Sequence, residues 1–242
     1  MPTTTGRAQG VRERARAEMR TEILDAARRQ LTEAGAATLS LRAVARELGM
    51  ASSAVYRYFE NRDALLTALI IEAYDSLGDA AQAADTAQPR TDVLGRWRQI
   101  CGAVRGWALE NPALYALVYG SPVPGYAAPE ATIGPGTRVS RLLTDLLRDS
   151  VTRRSLASTD ALPLTPQAAE GLAPLVEFMG PPMTTDHALR GLMAWTWLFG
   201  AVSFELFGQL NGVISPERRT DVFDAQVLRA AGQLGLAPEQ DA

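Results

Sequence analysis

The stretch that decides the fold reads SLRAVARELGMASSAVYRYFENRDALL and spans residues 40–66. Its first part predicts a short helix, because Ser40 is a good N-cap and apolar residues recur behind it at helical spacing. Gly49 can adopt the positive φ that ends this helix. A second short helix is predicted over 52–58. Two short helices joined by a tight glycine turn form the helix-turn-helix pattern.

Helices are also predicted on both sides of this pattern. Upstream, Ile23, Ala27 and Leu31 recur every four residues and predict a helix over 14–34. Downstream, Asn61 is a good N-cap for a long helix that continues to about residue 84. Further helices are predicted over 93–109, 113–118, 138–152, 165–179, 186–210 and 216–234, with a loop rich in proline and glycine over 120–136. No segment shows strand alternation, so an all-α chain of about nine or ten helices is expected.

Charge is distributed unevenly along the chain. The sequence has 24 basic and 27 acidic residues, a net charge of −3. Residues 1–63 nevertheless contain 11 arginines against 8 acidic residues, so this part carries a local charge of +3. A basic N-terminal part on an acidic body is typical of a DNA-reading domain joined to a regulatory one, although chance produces the same asymmetry in other proteins.

Residues that catalysis or membrane insertion would need are scarce. The single cysteine, Cys101, and the single histidine, His187, cannot build a metal site or a nucleophilic triad, so neither an enzyme nor a cofactor is expected. His187 is instead expected to cap a helix or lie on the surface, and Cys101 to be inert core. The longest uncharged apolar run, 191–204, is shorter than the roughly 20 residues that cross a bilayer. With no apolar leader at the start, a cytoplasmic protein is expected.

The segment 40–66, with the helix before it, strongly resembles the N-terminal domain of TetR-family transcriptional regulators. The match includes Gly49 in the turn, Tyr56 and Phe59 behind it, and the apolar pair Leu65 and Leu66 in the next helix. The resemblance implies a homodimer that binds double-stranded DNA at a palindromic operator, with repression as the commoner mode.

The resemblance also implies which side chains contact DNA. The candidates are Ser40, Arg42, Ser52, Ser53, Ala54, Tyr56, Arg57, Tyr58 and Arg62. Arg57 can make two hydrogen bonds to guanine, and Ala54 can contact a thymine methyl group. Tyr56 and Arg62 are expected to hold phosphates. Ala51 stands where the family usually has a capping serine or threonine, so two alternatives stay open: the recognition helix is capped at residue 51, or Ser52 caps it.

The rest of the chain resembles the regulatory domain of a TetR subgroup named for a Trp-His-Gly signature. Trp195 and Gly200 fit this pattern, and Phe199 replaces the histidine. The expected organisation is a flexible basic arm (1–12), a helix-turn-helix DNA-binding domain (13–62), a helical ligand-binding and dimerisation domain (63–236) and a disordered tail (237–242).

A small apolar or aromatic ligand is expected in a cavity between the helices of the larger domain. The candidate lining residues are Trp97, Trp107, Tyr115, Tyr119, Tyr126, Phe178, Met179, Trp195 and Phe199. Ordinary core packing is the competing explanation for each of them. The last two helices carry apolar residues on more than one face, which predicts a dimeric four-helix bundle. The candidate interface residues are Trp197, Phe204, Phe207, Val222 and Phe223.

Two functions are compatible with these features. The first is a regulator that a small molecule releases from DNA by shifting the long fourth helix and so the spacing of the two recognition helices. The alternative is a helical protein-interaction module that has lost specific DNA binding. Ala51, which replaces the usual capping residue of the recognition helix, is compatible with this alternative.

Overall fold

The computed structural model of the chain describes residues 4–153, 156 and 163–236. Its α-helices are α1 Thr4–Ala34, α2 Leu41–Glu47, α3 Ser52–Val55, α4 Arg62–Thr86, α5 Val93–Glu110, α6 Pro112–Tyr119, α7 Ile133–Gly136, α8 Arg138–Thr152, α9 Pro166–Gly171, α10 Ala173–Met179, α11 Thr185–Leu206 and α12 Arg219–Leu234. Within the described residues, β structure is limited to one bridge between Leu156 and Leu236. The all-α prediction is therefore confirmed. None of the described helices is long and apolar enough to cross a membrane.

Two predicted boundaries differ from the structure. Helix α1 begins at Thr4, whereas a flexible arm was expected over residues 1–12. Ala8, Gln9 and Arg12 are strong helix formers, so the helix extends through most of this stretch despite Gly10. The first three residues of the expected arm and the expected tail, 237–242, lie outside the described residues.

The predicted helix over 165–179 is two helices, α9 and α10, that meet at Leu172. Pro174 explains the break, because proline lacks an N–H and is tolerated only in the first turn of a helix. The predicted loop over 120–136 ends in a 3-10 turn, Glu130–Thr132, followed by the short α7. These two differences raise the count from the expected nine or ten to twelve α-helices among the described residues.

The chain divides into two compact units. The N-terminal unit comprises residues 1–73 and 111–133, and the C-terminal unit comprises 74–110 and 134–242. Helix α6 and the loop behind it thus group with the helix-turn-helix, where the sequence placed them in the larger domain. Helix α4 is continuous from Arg62 to Thr86 and contributes residues to both units.

A single apolar core holds the N-terminal unit together. The predicted stripe of α1, Ile23, Ala27 and Leu31, is buried, as are Val44 of α2 and Val55 of α3. Helix α6 packs against α1. Helix α3 is only one turn long, which is too short to be stable by itself. Its orientation therefore depends on the buried side chains that pack it into this core.

The C-terminal unit is built around α5, which packs against α8, α11 and α12. Trp97, Ile100 and Val104 of α5 are fully buried. The Trp97 indole Nε1 donates a hydrogen bond to the Val227 carbonyl oxygen of α12 at 2.8 Å. The polar end of this large buried ring is therefore satisfied, as a buried indole requires.

Candidate nucleic-acid interface and ligand cavity

The recognition helix is positioned by the turn before it. Gly49 has φ +65°, as the sequence predicted, and the Met50 N–H bonds back to the Ala45 carbonyl at 2.8 Å. Val55 and Phe59 then anchor the segment in the core. Only residues 52–55 form α-helix, and residues 56–58 continue as a turn, so the helix is shorter than predicted.

The other side of this segment faces solvent. Ser53, Tyr56 and Arg57 are exposed, with Tyr56 46% exposed, whereas the remaining three candidates of the segment, Ser52, Ala54 and Tyr58, are half-buried. Tyr56 is therefore not a core aromatic. An exposed arginine, a serine and a tyrosine on one short segment can donate hydrogen bonds to base edges and to phosphates.

The structure shows which residue occupies the N-cap of the recognition helix. Ala51 occupies the N-cap position with extended backbone (φ −65°, ψ 137°), and the helix begins at Ser52. The Ala54 N–H bonds the Ala51 carbonyl at 2.9 Å, but no side chain caps the helix. Of the two alternatives, the structure shows the cap at residue 51, which leaves Ser52 in the first turn of the helix.

Ser40 and Arg42 lie at the start of α2. Ser40 is half-buried at the N-cap, yet its hydroxyl makes no capping hydrogen bond, contrary to the sequence prediction. Arg42 is exposed in the first turn. Both side chains are therefore accessible to a phosphate. Sequence reasoning did not single out Arg46, which is also exposed on α2.

Arg62 has a different role from the predicted one. Its Nε donates to the Leu39 carbonyl at 3.2 Å, and its Nη2 donates to the carbonyls of Ala36 at 2.8 Å and Ala37 at 3.4 Å. The guanidinium thus joins the start of α4 to the turn that precedes α2. Its Nε and Nη2 are engaged by backbone oxygens and its Nη1 lies 3.7 Å from Asp63 Oδ1, so most of its donors are not available to a phosphate. The predicted cap of α4 is confirmed, since Asn61 Oδ1 accepts from the Ala64 N–H at 2.8 Å.

The contact between Arg20 and Phe59 was not predicted from the sequence. Arg20 projects from α1 so that its guanidinium carbon lies 5.1 Å from the centroid of the Phe59 ring. A cation over an aromatic face is attracted by the ring quadrupole. This contact keeps a positive charge of α1 beside the end of the recognition segment.

The C-terminal unit contains a cavity of about 260 Å³ between α8, α10 and α11. It is lined by Thr137, Ser140, Leu143, Thr144, Leu175, Phe178, Met179, Gly191, Leu192 and Trp195. Gly191 permits the close approach of α11, because a Cβ there would lie 3.3 Å from Leu147 Cδ1 and 3.4 Å from Met179 Cε. An apolar pocket with a few polar groups is the usual form of a small-molecule site.

Three of the nine predicted pocket residues, Phe178, Met179 and Trp195, line this cavity. Phe199 is buried behind it, with its ring centroid 5.7 Å from that of Trp195. Neither Phe199 nor the other five predicted residues lines the cavity.

The other five predicted pocket residues make contacts away from this cavity. Trp97 lies in the core described above, and Trp107 is buried with its Nε1 bonded to Ser76 Oγ at 2.9 Å. The three tyrosines belong to the N-terminal unit. Tyr115 is buried with its ring 5.1 Å from that of Tyr119, and the Tyr126 hydroxyl lies 2.9 Å from Thr67 Oγ1.

The predicted interface residues fall into two groups. Phe204 and Phe207, at the end of α11, are exposed. Residues of a dimer interface are expected to be exposed when one protomer is viewed alone. Trp197 and Phe223 are instead packed inside the protomer, with ring centroids 6.1 Å apart, and Phe223 also lies under the Arg105 guanidinium. Val222 is half-buried. Phe223 is thus a core residue, and the half-buried Trp197 packs against it.

His187 and Cys101 behave as structural residues. The Thr184 Oγ1 accepts from the His187 N–H, and the His187 Nδ1 accepts from the Thr184 N–H at 3.1 Å, which completes a capping box at the start of α11. The predicted capping role is confirmed. Burial raises the pKa of the Cys101 thiol well above its ordinary value, which keeps it protonated and unreactive. The described residues contain no cluster of three metal-ligating side chains.

Comparisons with known proteins agree with this arrangement. Residues 23–69 match the family model described as bacterial regulatory proteins of the tetR family, and residues 97–230 match that described as the tetracyclin repressor-like C-terminal domain. Because the second description names no Trp-His-Gly signature, that subgroup stays a prediction.

Similar proteins are found among curated regulators and solved structures. The HTH-type transcriptional regulators Rv1816 of Mycobacterium tuberculosis H37Rv and Mb1846 of Mycobacterium bovis are each 41% identical over 222 residues, 90% of this chain and 92% of theirs. A crystal structure of the regulatory protein SCO4313 is 34% identical, with a TM-score of 0.74, over 91% of this chain and 98% of that one. This chain belongs to the TetR family of helix-turn-helix transcriptional regulators, a family of DNA-binding proteins rather than enzymes.

Proposed function

We propose that this regulator binds a palindromic operator as a homodimer, represses transcription there, and is released by a small organic molecule. The observation that carries the DNA-binding part is the exposed side of the recognition segment. Ser53, Tyr56 and Arg57 face solvent together, while the opposite side is held rigidly by buried apolar anchors. Such a surface is suited to the major groove, with Arg57 reading guanine and Tyr56 holding a phosphate.

The dimer part is supported by an apolar face of α11. Met193, Gly200, Phe204 and Phe207 follow at spacings of seven, four and three residues, so they lie along one side of the helix. Met193, Phe204 and Phe207 are exposed, and a Cβ at Gly200 would meet no atom within 4 Å. A second copy of the same face would cover these side chains about a two-fold axis, which matches the symmetry of a palindrome.

The release part is supported by Arg138. Its guanidinium donates to the Asp75 carbonyl of α4 at 2.8 Å and to Asp79 Oδ1 at 2.5 Å, and it lies close to Gly78, where a Cβ would be 2.6 Å from the Arg138 Nε. Thr137 and Ser140, its neighbours on α8, line the cavity. A ligand that displaces α8 therefore moves α4, the helix that continues into the DNA-binding unit.

DNA binding is tested on the region upstream of the protein's own gene, by titrating labelled DNA at two salt concentrations. Arg57→Ala is expected to weaken specific binding about 10- to 100-fold, since a bidentate base contact contributes roughly 1–3 kcal/mol of discrimination. Tyr56→Phe removes only the hydroxyl and is expected to weaken binding to all sequences alike. Arg153→Ala, an exposed arginine of the C-terminal unit, is the charge-matched control. Binding by the unaltered protein that is weak and independent of sequence would favour the interaction-module alternative.

Release is tested with Arg138→Gln once a ligand is available. This variant is expected to bind operator and ligand as the unaltered protein does, yet to need more ligand for release, because the connection between α8 and α4 is weakened. Arg153→Gln, at the C-cap of the same helix, is the control. Full release of Arg138→Gln at the unaltered ligand concentration would show that α4 is coupled through other residues.

A further inference from the structure

The chemistry of the cavity lining is unusually restrictive for a ligand site. Seven of the ten lining residues are apolar or glycine, and the other three, Thr137, Ser140 and Thr144, are hydroxyl residues of α8. None of the ten is charged. Apart from the indole N–H of Trp195, which can only donate, these hydroxyls are the side-chain groups of the lining that can recognise a polar group of a ligand, and they lie on one wall of the cavity.

Two of the three hydroxyls have their single proton engaged. Thr137 Oγ1 donates to the Gly134 carbonyl at 3.0 Å, and Thr144 Oγ1 donates to the Ser140 carbonyl at 2.9 Å. A hydroxyl has one donor and two acceptor lone pairs. Thr137 and Thr144 thus present acceptors to the cavity, and Ser140 is the only one of the three whose hydroxyl can either donate or accept a hydrogen bond.

None of the three arginines of α8, Arg138, Arg141 and Arg148, lines the cavity. Arg148 pairs with Asp145 and donates to the Met179 carbonyl, and Arg138 is bonded to α4 as described. Arg141 is exposed, with its guanidinium carbon 6.0 Å from the Phe178 ring centroid. A carboxylate inside this lining would lose its hydration without gaining a charged partner, which is strongly unfavourable.

We propose that the cavity takes a neutral, mainly apolar molecule of about two fused rings that carries a hydrogen-bond donor, such as a phenolic hydroxyl or an amide N–H, directed at Thr144. The size follows from the volume of about 260 Å³, which is just below the roughly 300–1,000 Å³ of ordinary ligand pockets. This inference rests on the proposed role of the cavity as the ligand site, and it specifies the chemical class that the site accepts.

Three probes of equal skeleton test the proposal by calorimetric titration of the full chain: 2-naphthol, 2-methoxynaphthalene and 2-naphthoate. The naphthol is expected to bind about two- to tenfold more tightly than its methyl ether, the range that one hydrogen bond contributes. The naphthoate is expected to bind at least about tenfold more weakly than the naphthol. Equal affinities of naphthol and ether, tighter binding of the acid, or no binding of any probe would each overturn the proposal.

A matched pair of variants assigns the contact. Thr144→Val keeps the side-chain shape and removes the acceptor, so it is expected to weaken the naphthol about two- to tenfold and leave the ether unchanged. Thr152→Val is the control, because Thr152 makes the same backbone bond on α8, to the Arg148 carbonyl, but is exposed and outside the cavity. Equal effects of the two variants on the naphthol would refute a contact at Thr144.

Operator binding of the same preparation separates this proposal from the proposed function. Naphthol binding without any operator binding would leave the ligand class standing and refute the regulator function. Operator binding by a protein that prefers the acid or the ether would support the regulator function and refute the proposed ligand class.

Discussion

Replacing Ala51 by serine probes the start of the recognition helix. Ala51 lies at the N-cap with no side-chain acceptor, so the first N–H groups of the helix have no capping partner. The Ala54 N–H already bonds the residue 51 carbonyl at 2.9 Å, and a serine hydroxyl at the same position can accept from the N–H of Ser53 or Ala54. A serine in place of alanine at an N-cap stabilises a helix by about 1 kcal/mol, with a range of about 0.5–2 kcal/mol.

The expected consequence is measurable by amide hydrogen exchange. A stabilisation of about 1 kcal/mol lowers the population of the locally open state roughly fivefold. The amides of residues 53–58 in Ala51→Ser should therefore exchange about fivefold more slowly, while the amides of the C-terminal unit are unchanged. Ser40→Ala is the control at the other N-cap of the motif, where the hydroxyl makes no capping bond and its loss should leave exchange in α2 nearly unchanged.

Unchanged or faster exchange of residues 53–58 in a folded Ala51→Ser protein would contradict this expectation. That result would mean that residue 51 is not the cap and that the helix starts elsewhere, with Ser52 as the remaining capping residue. Slower exchange accompanied by weaker operator binding would be informative in another way, since it would show that the short helix changes conformation when it enters the groove.

Three further predictions concern stability and assembly. Burial opposes ionisation of Asp149, but hydrogen bonds from two arginines outweigh this effect and lower its pKa. The carboxylate therefore stabilises the fold at pH values above its unfolded pKa, and this stabilisation is lost as pH falls through the folded pKa. Asp149→Asn should flatten the decline of the unfolding free energy below about pH 4 in urea titrations. Burial lowers the pKa of His187, the only histidine, so the unfolding free energy should rise as pH rises from about 5 to 7, and His187→Gln should abolish that rise. Phe204→Glu should give a monomer by light scattering, whereas Leu109→Glu, a comparably exposed site on α5, should not.

Features that depend on local chemistry could be predicted from the sequence. Gly49 takes its positive φ and Asn61 its cap because turns and helix ends are decided by a few neighbouring residues. The periodicity of α1 likewise reports its buried face. The break at Leu172 was predictable on the same grounds from Pro174, but the apolar periodicity of the flanking segments masked it.

The cavity could not be predicted in the same way. Aromatic residues identify large apolar side chains, but which helix each one meets depends on long-range packing that periodicity does not encode. Trp97 and Trp195 illustrate this, since the first has its Nε1 hydrogen-bonded to α12 and the second lines the cavity. The hydroxyls at 137, 140 and 144 share one face of α8, yet nothing in the sequence indicates that this face meets a void rather than another helix.

Arg57 and Arg62 show why exposure matters more than charge in locating the DNA-binding surface. Both arginines lie in the segment that resembles the family, and both were expected to contact DNA. Arg57 extends into solvent, whereas the guanidinium of Arg62 meets three carbonyl oxygens that converge at the turn before α2. An arginine fork can satisfy several carbonyls at once, which a single ammonium cannot do with the same geometry. Arg62 therefore fixes α4 against the helix-turn-helix within the N-terminal unit, and the arginines of residues 40–66 that are exposed to face a phosphate backbone are Arg42, Arg46 and Arg57.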